Sequence, residues 1–257
     1  MNRYELKKTI LKVLIIIPVI IIRFFPQFFL TGTTKRSVSD YFMVTIFGIP
    51  PERTQTQSIS IIASMLEIII FVIIFGTYLY SFFQNYNIYI IIRERSIKNW
   101  YRRIAARLFV CCMAYIGIFF ASIYILGIIK SESSMTMRDV YIPLTAYILT
   151  TFFTYVITMT MNILALKYKQ VKSFAIIIFA ILFMIWMAID FEKIIAISRL
   201  KILLWLNPVN NMQISWDLEP LNCVKSVIYY IVLSIAVTVI GRIMYIKSDM
   251  GMTGEEE

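Results

Sequence analysis

IIIRERSIKNWYRRIAARLF, residues 90–109, sets Arg93, Arg95, Lys98, Arg102, Arg103 and Arg107 within fifteen positions of a chain that is elsewhere apolar for tens of residues at a time. On a helix turning 100° per residue, Ile97, Trp100, Tyr101, Ile104 and Leu108 share one face, while Arg95, Lys98 and Arg102 gather opposite. This spacing predicts an amphipathic helix over about 93–107. Its apolar side would face lipid or the ends of membrane spans, and its basic side the cytoplasm. Trp100 and Tyr101 suit the headgroup boundary, where a ring can be half buried. Two uses stay open: a topology anchor that also binds anionic membrane lipid, or a docking element for a soluble partner.

The surroundings of this stretch set the class. With 60% apolar and 16% charged residues the chain departs from soluble domains, which run near 45–50% apolar and about 25% charged. A helix needs roughly 20 mostly apolar residues to cross a bilayer. Six runs qualify, at about 13–30, 59–82, 108–129, 140–166, 173–190 and 226–246. The expected fold is all-α, a single polytopic membrane domain of six transmembrane helices. The first run has no convincing small-residue cleavage site and is read as mature protein. Fifteen basic residues fall on the side holding the N-terminus, the 90–109 stretch, Lys167, Lys169 and Lys172, and the C-terminal tail. Nine fall on the other side, in longer loops mixed with acids. Cytoplasmic loops are enriched in Lys and Arg, so both termini are expected in the cytoplasm. The formal charge of +10 is thereby read as topology, with no nucleic-acid partner.

Chemistry is hard to assemble. The chain has no histidine, no G-x-x-x-x-G-K-[ST] loop and no paired intramembrane carboxylates, so no catalytic or metal-binding set is nominated. Cys111, Cys112 and Cys223 are assigned no disulfide. Arg23 and Glu67 are the charges expected at membrane depth, roughly 10–12 Å below the outer boundary on antiparallel neighbours, where they can pair. Thr150, Thr154 and Thr158, with Tyr147, Thr151 and Asn162, follow one side of the fourth run. Such hydroxyls most often bond neighbouring helices or their own backbone; a substrate-facing or dimer-facing wall is the alternative. Pro143 is expected to bend or end that helix. Residues 191–225 are too apolar for a solvated loop and too charged for a span, and read as re-entrant or interfacial helices on the outer face, with Asn207-Pro208 as a turn.

Six spans, a basic helix between the second and third, and a half-buried outer segment between the fifth and sixth together resemble an ABC-2 type transporter permease. IRERSIKNWYRR is similar to the Ile-Arg-x-x-Ser-x-x-x-Trp pattern of small permeases in bacteriocin-immunity and antimicrobial-peptide exporters. Leu206-Asn207-Pro208 is similar to the Asn-Pro found after span 5 in many such permeases, although the 5–6 connection here is longer than a minimal one. The resemblance implies a coupling helix that docks on a separate ATP-binding subunit through Arg93, Glu94, Arg95, Ser96, Ile97 and Trp100. Tyr4, Lys7, Lys8 and Leu11 would lie along the inner leaflet beside that interface. It also implies a second permease copy or a homologous permease, ATP and Mg on the partner only, no cofactor on this chain, and a bacterial plasma membrane. The cargo would be a peptide, a lipid or another amphipathic compound. A non-transporting sensor, immunity or assembly protein is the first alternative, and an integral membrane enzyme the second.

If Arg23 and Glu67 pair, Arg23→Glu or Glu67→Arg alone lowers the yield of monodisperse protein in detergent, and the double exchange restores it. A double exchange no better than the singles would exclude the pair.

Overall fold

The structure, a computed structural model, describes residues 11–12, 14–21, 37–47, 65–84, 97–131, 134–189, 206–212 and 223–253. These are helical apart from short turns, with no strand among the described residues. In chain order the elements are α1 (Val38–Phe47), α2 (Leu66–Phe75), α3 (Ile97–Lys130), α4 (Met137–Ile189), α5 (Pro208–Met212) and α6 (Cys223–Thr253). Helix resumes after α2 at residues 78–84. Four stretches are long and apolar enough to cross a membrane: Leu66–Gln84, Ile97–Lys130, Met137–Ala188 and Cys223–Lys247. Their outward faces are apolar as well. Ile125, Phe179, Trp186 and Val232 are all more than half exposed, a surface that water tolerates poorly and lipid does not. The protein is membrane-embedded.

The early part of α4 is the axis. From Leu149 to Ala165 its side chains are buried on nearly every side, and α1, α2, α3, α5 and α6 all pack against α4. At Lys169 the backbone leaves helical geometry, with φ 60° and ψ 177°. Phe153 and Met184 lie 16 and 15 residues from that point. Phe153 packs on Tyr230 at 6.2 Å between ring centroids, Tyr230 bonds the Pro208 carbonyl, and Asn207 beside it bonds the Met184 carbonyl at 2.9 Å. A straight helix would hold Phe153 and Met184 about 46 Å apart. The chain therefore folds back at Lys169, with the expected fourth and fifth runs on its two arms. The returning arm buries Ser173, Ile177, Ile181, Ile185 and Ala188 along one stripe. Pro143, expected to bend or end the helix, sits in the second turn and does not interrupt it.

The second span carries a break that its neighbour fills. Gly76 and Thr77 form a turn between the helical residues on either side. Asn162 of α4 places its amide in the gap. Its Oδ1 accepts from the Leu79 and Tyr80 N–H groups at 2.8 and 3.3 Å, and its Nδ2 donates to the Phe75 carbonyl at 3.3 Å and the Thr158 carbonyl at 2.8 Å. The oxygen meets two donors and the nitrogen two acceptors, so the amide replaces the Phe75–Leu79 helix bond. Gly76 is required here: a Cβ would collide with Met161 Sδ and the Val72 carbonyl. Thr154 and Thr158 return their hydroxyls to the carbonyls of Thr150 and Thr154 at 2.7 and 2.6 Å, the local satisfaction that buried hydroxyls in such helices favour.

Remote from the α4 elbow, two acids organise the opposite end of the bundle. Ser37 and Asp40 form a capping box at the start of α1, with Asp40 N–H on Ser37 Oγ at 3.1 Å and Ser37 N–H on Asp40 Oδ2 at 3.4 Å. Thr136 donates both N–H and hydroxyl to Asp139 Oδ2 at the start of α4, and Ser39 N–H reaches Asp139 Oδ1 at 2.7 Å. One carboxylate thus ties α1 to α4. In the 206–212 part of the expected outer segment, Asn207 is the turn. Its Oδ1 accepts from Val209 N–H at 3.0 Å, capping α5, and Pro208 occupies the first helical position. This short helix is buried between α4 and α6 rather than lying at an interface.

Asn162→Leu strands the Leu79 and Tyr80 N–H groups and should lower unfolding stability in detergent by about 2 kcal/mol. Thermal melting with a fluorescence reporter checks this; a loss below about 0.5 kcal/mol would mean the break is held by other groups.

Candidate functional site

Three described helices bring their cations to one end. Lys98, Arg102, Arg103 and Arg107 stand on the first turns of α3, Lys167, Lys169 and Lys172 on the α4 elbow, and Arg242 and Lys247 on the last part of α6. An aromatic cluster joins α3, α6 and the second span: Phe83, at the end of that span, packs edge-on to Tyr245 of α6 at 5.3 Å and lies 6.0 Å from Trp100 of α3. Tyr101 adds a contact to Tyr245 at 5.5 Å and donates its hydroxyl to the Thr238 carbonyl at 3.0 Å. Asp40 and Asp139 are at the opposite end, and Glu67 lies in the second span below its break. Lys130, Arg138 and Lys225 stand at that opposite end as well, so the fold concentrates cations at one end without making the other purely acidic.

Residues 97–107 depart from expectation in one respect. They are the opening turns of the 34-residue α3, continuous with the third apolar run, where a separate helix along the membrane was expected. No Pro or Gly interrupts the chain between Ile97 and Tyr115, so nothing ends the helix there. At about 50 Å it exceeds a hydrocarbon core of about 30 Å, and its basic turns can stand clear of the bilayer. The faces fall as the periodicity requires: Trp100, Tyr101, Ile104 and Leu108 are buried, Ile97 is half-buried, and Lys98 and Arg102 are exposed. Protein covers the apolar stripe. Trp100, nominated for docking, is 5% exposed and supports the surface from beneath. Arg93, Glu94, Arg95 and Ser96 lie outside the described residues.

Two concavities open at this end. One, of about 760 Å³, lies against the elbow and is lined by Tyr80, Gln84 and residues 167–172, including all three lysines. The other, of about 500 Å³, runs between α3, α4 and α6, with Lys98, Arg102 and Arg242 at one end and Phe109, Phe152 and Ile231 toward the other. Along its floor Tyr155 and Thr238 share a hydroxyl hydrogen bond at 2.9 Å, and the Ser234 hydroxyl in the wall has no partner among the described residues.

The remaining nominated residues are scattered. Leu11 is 68% exposed, whereas Tyr4, Lys7 and Lys8 lie outside the described residues. Glu67 is buried in the first turn of α2, and its backbone carbonyl accepts the Tyr115 hydroxyl at 3.2 Å; Arg23, its expected partner, is outside the described residues. Thr150, Thr154 and Thr158 are buried in the axis helix and line neither concavity. Among the described residues no three His, Cys, Asp or Glu side chains come together to hold a metal. The sequence reading missed Asn162 as a bridge and Arg242 as part of the basic end of the groove. Comparison with protein-family models, curated proteins and solved structures returns no match.

Trp100→Ala empties the centre of the aromatic cluster and should cost about 3 kcal/mol of stability. Arg102→Gln, at an exposed position, should stay within about 0.5 kcal/mol of the parent. Thermal unfolding of both variants in one detergent checks the contrast, and equal losses would contradict a supporting role for Trp100.

Proposed function

We propose that this chain is the membrane-spanning permease subunit of an ATP-driven transporter of ABC-2 type, exporting a peptide, lipid or other amphipathic compound. The observation that carries the reading is the basic end, where the first turns of α3, the α4 elbow and the end of α6 present their cations together. A soluble subunit that hydrolyses ATP needs a stiff element through which its closure reaches the bilayer. The unbroken α3, running from Ile97 at that end through the apolar core to Lys130, has the right form. In this reading six spans place both termini and the basic end in the cytoplasm of a bacterial cell, as the bias of Lys and Arg toward that side favours. Nucleotide and Mg belong to the partner, this chain holds no cofactor and performs no catalysis, and a second permease copy completes the pathway.

The buried state of Trp100 moves the proposed contact to exposed neighbours, Lys98 and Arg102 on α3 and the elbow lysines. The test is purification of the tagged chain from its native membrane with identification of what accompanies it. A soluble P-loop ATPase in stoichiometric amount is expected. Lys98→Gln with Arg102→Gln should weaken its retention at least about tenfold, because removing each charge forfeits on the order of 1 kcal/mol at an interface. Recovery of the chain without any ATPase would favour the non-transporting sensor or immunity reading.

A further inference from the structure

We infer that the groove between α3, α4 and α6 binds one anionic phospholipid from the leaflet at the basic end of the bundle. The groove has a polarity gradient along its length. Lys98 and Arg102 on α3 and Arg242 on α6 occupy one end, and eleven residues further along each helix the walls have become Phe109 and Ile231. Eleven residues of helix span about 16 Å, close to the ~15 Å depth of half a hydrocarbon core. A phosphate at the cations therefore leaves an acyl chain running the length of the apolar part.

The walls fit that occupant. Guanidinium groups bind phosphate through paired N–H donors, and Arg102 and Arg242 reach it from two different helices. The Tyr101 hydroxyl is committed to the Thr238 carbonyl and that of Tyr155 to the Thr238 hydroxyl, so an alkyl chain passing them displaces no hydrogen bond. Ala105 and Ala106 keep the α3 wall low enough for a chain to lie against it. On the α6 side Ile231, Ile235 and Val239 are 40%, 60% and 49% exposed, so the groove opens sideways onto the surface that faces lipid. A bilayer phospholipid can enter without crossing water. The inference rests on the membrane-embedded fold and not on the transporter reading.

The test compares lipid retention by the full chain purified in mild detergent, using native mass spectrometry after incubation with phosphatidylglycerol or phosphatidylcholine. The parent should keep one phosphatidylglycerol in preference to phosphatidylcholine. Arg102→Gln with Arg242→Gln should reduce that preference about twenty-five-fold, at roughly fivefold per charge removed near a membrane surface. Lys167→Gln with Lys172→Gln, which removes two cations from the elbow, should leave it unchanged. Ala106→Trp, which fills the groove and keeps every charge, should expel the lipid. Equal retention of both lipids, equal losses in the two charge pairs, or a lipid still held by Ala106→Trp would each overturn the assignment. Displacement by inorganic phosphate alone would also overturn it, since a site needing an acyl chain resists a free anion. Gel filtration and melting verify each variant, and if Ala106→Trp does not fold the two charge pairs decide the matter.

Discussion

A single amide, that of Asn162, makes the interior of this bundle consistent with a bilayer. Inside hydrocarbon a broken helix leaves N–H and C=O groups with no water to satisfy them, at several kcal/mol for each group. The second span is broken at Gly76 and Thr77, and Asn162 returns a donor and an acceptor to the gap. It can do so only because α4 is buried on nearly every side and approaches closely enough for Met161 to touch Gly76. The same residue receives the Tyr245 hydroxyl on its backbone carbonyl at 3.3 Å. The second span, the axis helix and α6 therefore converge on one position, directly beneath the aromatic cluster that carries the basic end.

The two ends of the bundle are held by different physics. At the end opposite the elbow, a capping box and one shared carboxylate fix the starts of α1 and α4 through directional bonds. At the basic end, like charges repel and the geometry is held by aromatic packing among Phe83, Trp100, Tyr101 and Tyr245.

The sequence made periodicity visible and concealed what faced it. The stripe through Trp100, Tyr101, Ile104 and Leu108 follows from helical spacing, and so do the opposing Lys98 and Arg102. Spacing cannot say whether lipid or protein covers an apolar stripe, since both are equally apolar. Of the threonines nominated on the fourth run, Thr154 and Thr158 bond their own backbone, as their chemistry favours, whereas the buried Thr150 and Thr151 hydroxyls do not. Asn162 was visible as one more polar residue on that stripe, but its partners lie 83 and 82 residues away, and no local pattern announces a break in another helix. α1 had a readable signal that went unused: Ser37-x-x-Asp40 ahead of an apolar run is a capping box. It lies in one of the longer loops between expected spans, on a helix of 10 residues that is too short to cross a membrane. The resemblance to ABC-2 permeases rests on the arrangement of spans and on two short patches; Ile92, Arg93 and Ser96 of the first lie outside the described residues, whereas Trp100 and Leu206-Asn207-Pro208 lie within them.

The elbow at Lys169 bears on how the chain enters the membrane. Only one residue there departs from helical geometry, and Ser173 closes the following turn by bonding the Lys169 carbonyl at 2.6 Å. With a connection this tight the two arms of α4 behave as one helical hairpin, and Lys167, Lys169 and Lys172 at its apex resist entry into hydrocarbon.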